Sequence, residues 1–239
     1  MNTSKYTAAN DPLLNPENHA VLLIDHPYLQ LLTVRSRAGA TVVNNVTALA
    51  KAAKLFNVPT LITTAFAERQ AVVKEIQDVF PEQKPIDRTT LNSWEDQRVV
   101  DWVKSTGRKK LVFAGLWTEI CLTFPVLSAL AEGYEVYIVT DASGGATPEA
   151  QERAVQRMIQ AGAKPLTVIA YVSELQRDCG REATVPQVVD LFEKHSGGFG
   201  HGLRWEWQLL AFKEGPDENW CADDKLRVSI SANALRGHN

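Results

Sequence analysis

Three side chains of types that do acid–base and nucleophilic chemistry each fall where an apolar run stops. Asp25 ends "AVLLID", Arg88 ends "PIDR", and Cys121 lies in "AGLWTEICLTFP", just after "KKLVF". A core thiol can sit at any apolar position. A nucleophilic thiol gains from the start of a helix, whose positive end favours a thiolate. A carboxylate beside it can take the thiol proton and later return it to a leaving amine. A nearby cation depresses the thiol pKa and holds the carboxylate in place. Backbone N–H groups at the helix start can stabilise an oxyanion. The bland readings are a buried inert thiol, a carboxylate capping a turn and a structural ion pair.

For these three to meet, the elements carrying them must end at one rim. Apolar runs alternate with segments of helical period. The runs predict strands at Ala20 to Asp25, Pro59 to Thr64, Pro85 to Arg88, Lys109 to Ala114, Glu135 to Asp141 and Leu166 to Val172. Helices are predicted over Thr41 to Phe56, Ala71 to Phe80, Glu95 to Ser105, Glu119 to Glu132, Thr147 or Pro148 to Gln160, and Pro186 to His195. Such alternation argues for an α/β fold. The expected form is three-layered and doubly wound, with a six-stranded, mostly parallel, Rossmann-like sheet. Near-continuous apolar strands fit a sheet covered on both faces. Ligands then bind at the carboxyl ends of the strands. That rule selects Asp25, Arg88, the Trp117 to Cys121 loop, and Asp141 with Ser143-Gly144-Gly145.

Around the three core candidates stand weaker ones. Trp94 and Trp117 can line a pocket or pack at its rim. Asn92 offers a polar contact from the Arg88 segment. His26 adjoins Asp25, but neighbours on a strand point to opposite faces. A lone Ser-Gly-Gly is a weak phosphate signal, and the first strand lacks a following GxGxxG, so a dinucleotide site is a poor reading.

Composition narrows the partners. The 239 residues carry a formal net charge of −3, with both signs mixed along the chain. No basic stripe points to nucleic acid. No apolar run is long enough to cross a bilayer, and the first residues lack the apolar core of a signal peptide. Three widely spaced cysteines, Cys121, Cys179 and Cys221, form neither a disulfide framework nor a zinc pattern. These features predict a cytoplasmic protein. From about Ser196 the composition changes to "SGGFGHG", followed by Trp205, Trp207 and Trp220. Residues 1–195 are read as the main domain and 196–239 as an arm packing on the same or a neighbouring subunit. Three tryptophans argue against a disordered end.

The segments "AVLLIDH", "VPTLITTAF", "PIDRTTLNSWED", "KKLVFAGLWTEICLTFPVLSALAEGYEVYIVTDASGG" and "AVQRMIQAGA" resemble the isochorismatase-like cysteine hydrolases, most closely the YcaC-like subgroup. The resemblance runs from about His19 to Asp178. It implies an Asp–basic–Cys triad, with Asp25 as base and Cys121 as nucleophile. Arg88 takes the position where most of the superfamily has lysine; Lys84 is nearby but precedes the strand. An arginine keeps its proton, so its role is electrostatic. The resemblance also implies a cis peptide before the nucleophile, falling on Trp117–Thr118, that aims the Thr118 and Cys121 amides at one oxyanion. It implies cleavage of a small amide or related C–N bond through an acyl-thioenzyme, without cofactor, in a homo-oligomer, either tetramer or octamer. Nicotinamidase-type relatives hold a metal through an aspartate and histidines. No Asp-x-His of that kind lies between Phe56 and Arg88, so no metal is expected. A zinc-dependent nicotinamidase-like amidase and a non-catalytic scaffold of the same fold are the alternatives. Relatives usually follow "LLIDH" with glutamine or asparagine, where this chain has Pro27-Tyr28.

Overall fold

The computed structural model describes residue 7, residues 10–67 and residues 70–214. Six strands form one sheet: β1 (His19–Ile24), β2 (Thr60–Ala65), β3 (Ile86–Arg88), β4 (Lys110–Gly115), β5 (Glu135–Val139) and β6 (Lys164–Leu166). Their order is β3-β2-β1-β4-β5-β6, and every pairing is parallel. The chain builds outward from β1 to β3, then crosses back to lay β4 on the other side of β1. The order reverses between β1 and β4, and in such sheets ligands bind at the strand carboxyl ends beside that point.

Side-chain alternation along the central strands makes two cores. Val21 and Leu23 of β1, with Val112 and Ala114 of β4, face α2 (Gly39–Leu55), α7 (Val168–Gln176) and α8 (Val185–His195). Ala20, Leu22 and Ile24, with Leu111 and Phe113, face α4 (Gln97–Thr106), α5 (Thr123–Ala131) and α6 (Pro148–Gln160). All these strand residues are buried, which is why the strands read as unbroken apolar runs. Local signals set several helix ends. The Asp96 carboxylate accepts from Arg98 N–H to start α4, and Gly107 ends it at φ 66°. The Thr147 hydroxyl accepts from Ala150 N–H to start α6, with Pro148 in the first turn.

The sixth strand needs correction. It covers Lys164–Leu166, and most of the run read as strand from Leu166 to Val172 lies in α7. Seven apolar-rich residues fit either state. Here the Asp141 carboxylate accepts from Val168 N–H at 3.0 Å, and Thr167 caps Ala170 N–H, so the chain turns helical at once. Tyr171, Val172 and Leu175 then bury one helical face.

Two short helices, α1 (Tyr28–Thr33) and α3 (Lys74–Gln77), come after β1 and β2; α1 follows Asp25 almost directly and carried no sequence signal that predicted it. The glycine-rich segment after Ser196 forms α9 (Gly197–Glu214). Gly200 is the reason it can dock: a Cβ there would collide with the Phe192 carbonyl oxygen. Phe199 meets Phe192 edge-on, with ring centroids 5.4 Å apart. Trp220 and Cys221 lie outside the described residues. Among the described residues no helix is long and apolar enough to cross a membrane.

Candidate active site

Asp25 is the first residue past β1. Its φ of 52° ends the strand and turns the side chain out of the alternation. Its N–H still donates to the Thr63 carbonyl of β2 at 3.1 Å. The carboxylate is fully buried. Oδ2 accepts from Arg88 Nη2 at 2.5 Å, and Oδ1 accepts from the Thr63 hydroxyl at 3.2 Å. Arg88 ends β3, in register with Ala65 of β2, which brings it to the same rim. Its other terminal nitrogen, Nη1, donates to the Thr90 carbonyl. Lys84 is exposed in the turn before β3.

Cys121 arrives from the other side of β1. Past β4 the chain winds one wide turn, Thr118–Leu122, in which Leu122 N–H donates to the Trp117 carbonyl at 3.3 Å. This π-type turn leads directly into α5. Cys121 is 2% exposed, and its thiol lies close enough to Asp25 and Arg88 to feel both charges. The structure therefore brings Asp25, Arg88 and Cys121 into one buried group.

The electrostatics differ from the sequence expectation. Burial pushes the Cys121 thiol up to about 12, and the Asp25 charge adds to the rise; Arg88 opposes them and loses. Burial and the Asp25 charge thus both favour the neutral thiol. Burial also raises Asp25, against the downward pulls of Arg88, the Cys121 thiol and Thr63. A carboxylate with a raised pKa is a stronger base, and the thiol it faces needs one.

The cis peptide lies at Leu116–Trp117, one residue before the predicted bond. Leu116 N–H is still held by the Ile24 carbonyl at 3.1 Å, and Leu116 bridges Gly144, so the ladder ends there and the chain reverses after it. The Thr118 N–H is taken by the Gly144 carbonyl at 3.0 Å. Its hydroxyl is buried without a partner. Trp117 packs toward α2 and donates its indole N–H to the Thr33 hydroxyl at 2.9 Å. His26 turns away from Cys121: its Nε2 meets the Ala142 carbonyl at 3.1 Å, on the α2 face. A carbonyl only accepts, so Nε2 carries the proton and Nδ1 is left as a buried acceptor without a partner. Trp94 sits in the α5-side core with its indole N–H on Glu132 at 2.8 Å. Asn92 caps Trp94 N–H and reaches Ser128 of α5 at 3.1 Å. Both pin the loop after β3 to α5.

One site residue escaped the sequence, and one segment selected at the strand ends has a different role. Thr63 read as an ordinary strand residue, and only the β1–β2 register brings its hydroxyl to Asp25. Ser143-Gly144-Gly145 is a weak phosphate signal by sequence; in the structure it fastens the end of β4 that leads to Cys121. Ser143 Oγ accepts from Gly115 N–H at 3.1 Å and donates to the Val139 carbonyl at 2.9 Å. Glu119, inside the wide turn, accepts from Ala146 N–H at 2.9 Å. Gly115 itself closes the approach of β4 to β1, since a Cβ there would meet the Ile24 carbonyl oxygen at 2.9 Å. Among the described residues, no three His, Cys, Asp or Glu side chains are grouped to hold a metal ion.

Comparison with known proteins agrees with this architecture. The isochorismatase domain model matches residues 19–170. The probable hydrolase YcaC of Escherichia coli strain K12 is 39% identical over 185 residues, covering 76% of this chain and 88% of the relative. The crystal structure of the Escherichia coli YcaC gene product, an octameric hydrolase of unknown specificity, superposes with a TM-score of 0.78 at 37% identity, covering 83% of this chain and 98% of that one. YcaC from Pseudomonas aeruginosa, with hexane-2,5-diol and covalent acrylamide, gives a TM-score of 0.78 at 34% identity, covering 84% and 99%. The chain belongs to the isochorismatase-like hydrolase family, in its YcaC-like subgroup.

Proposed function

We propose that this protein is a cysteine hydrolase that cleaves a small amide or related C–N bond. One observation carries the reading: the Cys121 thiol is buried beside the Asp25–Arg88 ion pair and feels both charges. The thiol proton passes to Asp25 as sulfur attacks the substrate carbonyl carbon. The tetrahedral intermediate collapses, and Asp25 returns that proton to the departing nitrogen. Water then attacks the acyl-thioenzyme, with Asp25 again taking a proton, and the thiol is restored. Arg88 keeps its charge throughout and holds the carboxylate in place. The buried Thr118 hydroxyl is available to the substrate or its oxyanion, while Asn92 and Trp94 hold the loop after β3 in place. The covalent acrylamide on the Pseudomonas aeruginosa relative fits a site that meets a small amide with a nucleophile.

The mechanism needs no cofactor beyond these side chains. A working thiol suits a reducing compartment, and we assign the protein to the cytoplasm. Residues 1–195 form the hydrolase domain in this reading, with 196–239 as an arm. We also assign a homo-oligomer, tetramer or octamer, in keeping with the octameric relative. Exposed Tyr28, Leu29, Leu32, Phe66 and Leu91 all follow the carboxyl ends of β1, β2 and β3, so apolar surface is gathered at the rim that bears the site. Native mass spectrometry reads the assembly directly, and a monomer would reject it.

The test of the chemistry is a panel of small primary and N-substituted amides, followed by ammonia or amine release. Wild type turns over at least one, and Cys121→Ser and Asp25→Asn lose at least about a thousandfold. Turnover that survives Cys121→Ser would refute the thiol mechanism.

A further inference from the structure

Asp25 has two unequal oxygens. Oδ2 faces the Arg88 guanidinium at 2.5 Å, a group that only donates. A proton on Oδ2 would confront those donors. Oδ1 faces the Thr63 hydroxyl at 3.2 Å. A hydroxyl can donate to a carboxylate and, after rotation, accept from a carboxylic acid. Thr63 is fully buried in β2, next to β1 in the sheet, so its position is set by the backbone register.

We propose that Thr63 is a positioning residue that makes Oδ1 the proton-carrying oxygen of Asp25. This rests on the cysteine-hydrolase reading above. In the first step the S–H bond of Cys121 breaks, an O–H bond forms at Oδ1, and the sulfur electron pair goes to the substrate carbonyl carbon. On collapse of the intermediate, the Oδ1–H bond breaks and the proton goes to the leaving nitrogen. Thr63 loses and gains no proton; its hydroxyl stabilises the carboxylate and so sets how strong a base Oδ1 is. The charged groups facing Asp25 are Arg88 from β3 and the Cys121 thiol from the wide turn. Asp96, at the start of α4, acts on Arg88. His26, the next residue, is turned to Ala142.

Removing the Thr63 hydroxyl takes a donor from the carboxylate and raises the Asp25 pKa. Alkylation of Cys121 that depends on Asp25 then loses its acid limb at a higher pH. The experiment uses the full chain and acrylamide, with the Cys121 adduct followed by mass spectrometry from pH 4 to 9. Wild type, Thr63→Val, Thr63→Ser and Asp25→Asn are compared. The Val variant is expected to move the acid limb up by about one unit, and the Ser variant to return it to the wild-type position. Melting curves accompany each variant, and Thr63→Ala replaces Val if Val does not fold. An acid limb unmoved in the variants lacking the hydroxyl, beside a strong loss in Asp25→Asn, overturns the role of Thr63 and leaves the hydrolase reading standing. Wild-type alkylation in Asp25→Asn overturns both.

Discussion

The Arg88 guanidinium and the Asp25 carboxylate lie 2.5 Å apart, with side chains 1% and 0% exposed. Burying two charges costs several kcal/mol each, and the pair survives because each also meets other polar groups. Thr63 serves Asp25, and the Thr90 carbonyl serves Arg88. Arg88→Met would strand the carboxylate. A loss of about 3–5 kcal/mol is expected, read by urea denaturation at pH 7. A loss below about 1 kcal/mol would mean that solvent reaches the pair.

Acid should weaken the fold through two buried histidines. Burial lowers both His19 and His26 to about 4. His19 is held neutral between the Asn15 carbonyl and the Tyr171 hydroxyl. The folded values lie below the unfolded value, so unfolding takes up protons as pH falls. Their stabilisation is complete above about pH 6.5 and is lost progressively as pH falls toward 4. The expected loss is up to about 3 kcal/mol per histidine over that window. Denaturation at pH 7 and 4.5, with and without His19→Asn, checks it. An unchanged difference between the two pH values in the variant would exclude His19 as a source.

Ser143→Ala should loosen the nucleophile loop. It leaves the buried Gly115 N–H without its acceptor. The expected cost is about 1–3 kcal/mol, with faster hydrogen exchange at Gly115 and slower alkylation at Cys121. Exchange at Gly115 equal to wild type would show that another group takes over.

Gly200→Ala should act on α9 alone. The added methyl group meets the Phe192 carbonyl oxygen at a distance no packing tolerates. Hydrogen exchange across 197–214 is expected to rise while the strands keep their protection. Undiminished protection of α9 would mean that the helix shifts to make room.

The sequence by itself determined the architecture and singled out the three side chains that the fold gathers at one rim. Alternating apolar runs and helical periods recur from β1 to α6, and the ends of α4 and α6 carry their own caps. Asp25, Arg88 and Cys121 stand at strand ends, where a parallel sheet must present them. Those signals are local, so they are legible residue by residue. Tertiary structure decided the rest. Whether "LTVIAYV" was strand or helix depended on the Asp141 carboxylate, 27 residues away. The Thr63 hydroxyl gained a purpose only through its pairing with β1. Ser143 became a fastener because β4 and β5 end side by side. The direction in which the thiol is shifted differs most from the local signals. A helix start and a nearby arginine both favour a thiolate, but the folded chain excludes water from Cys121 and sets a carboxylate against it. Burial is a property of the whole packed molecule, and it outweighed the local cation.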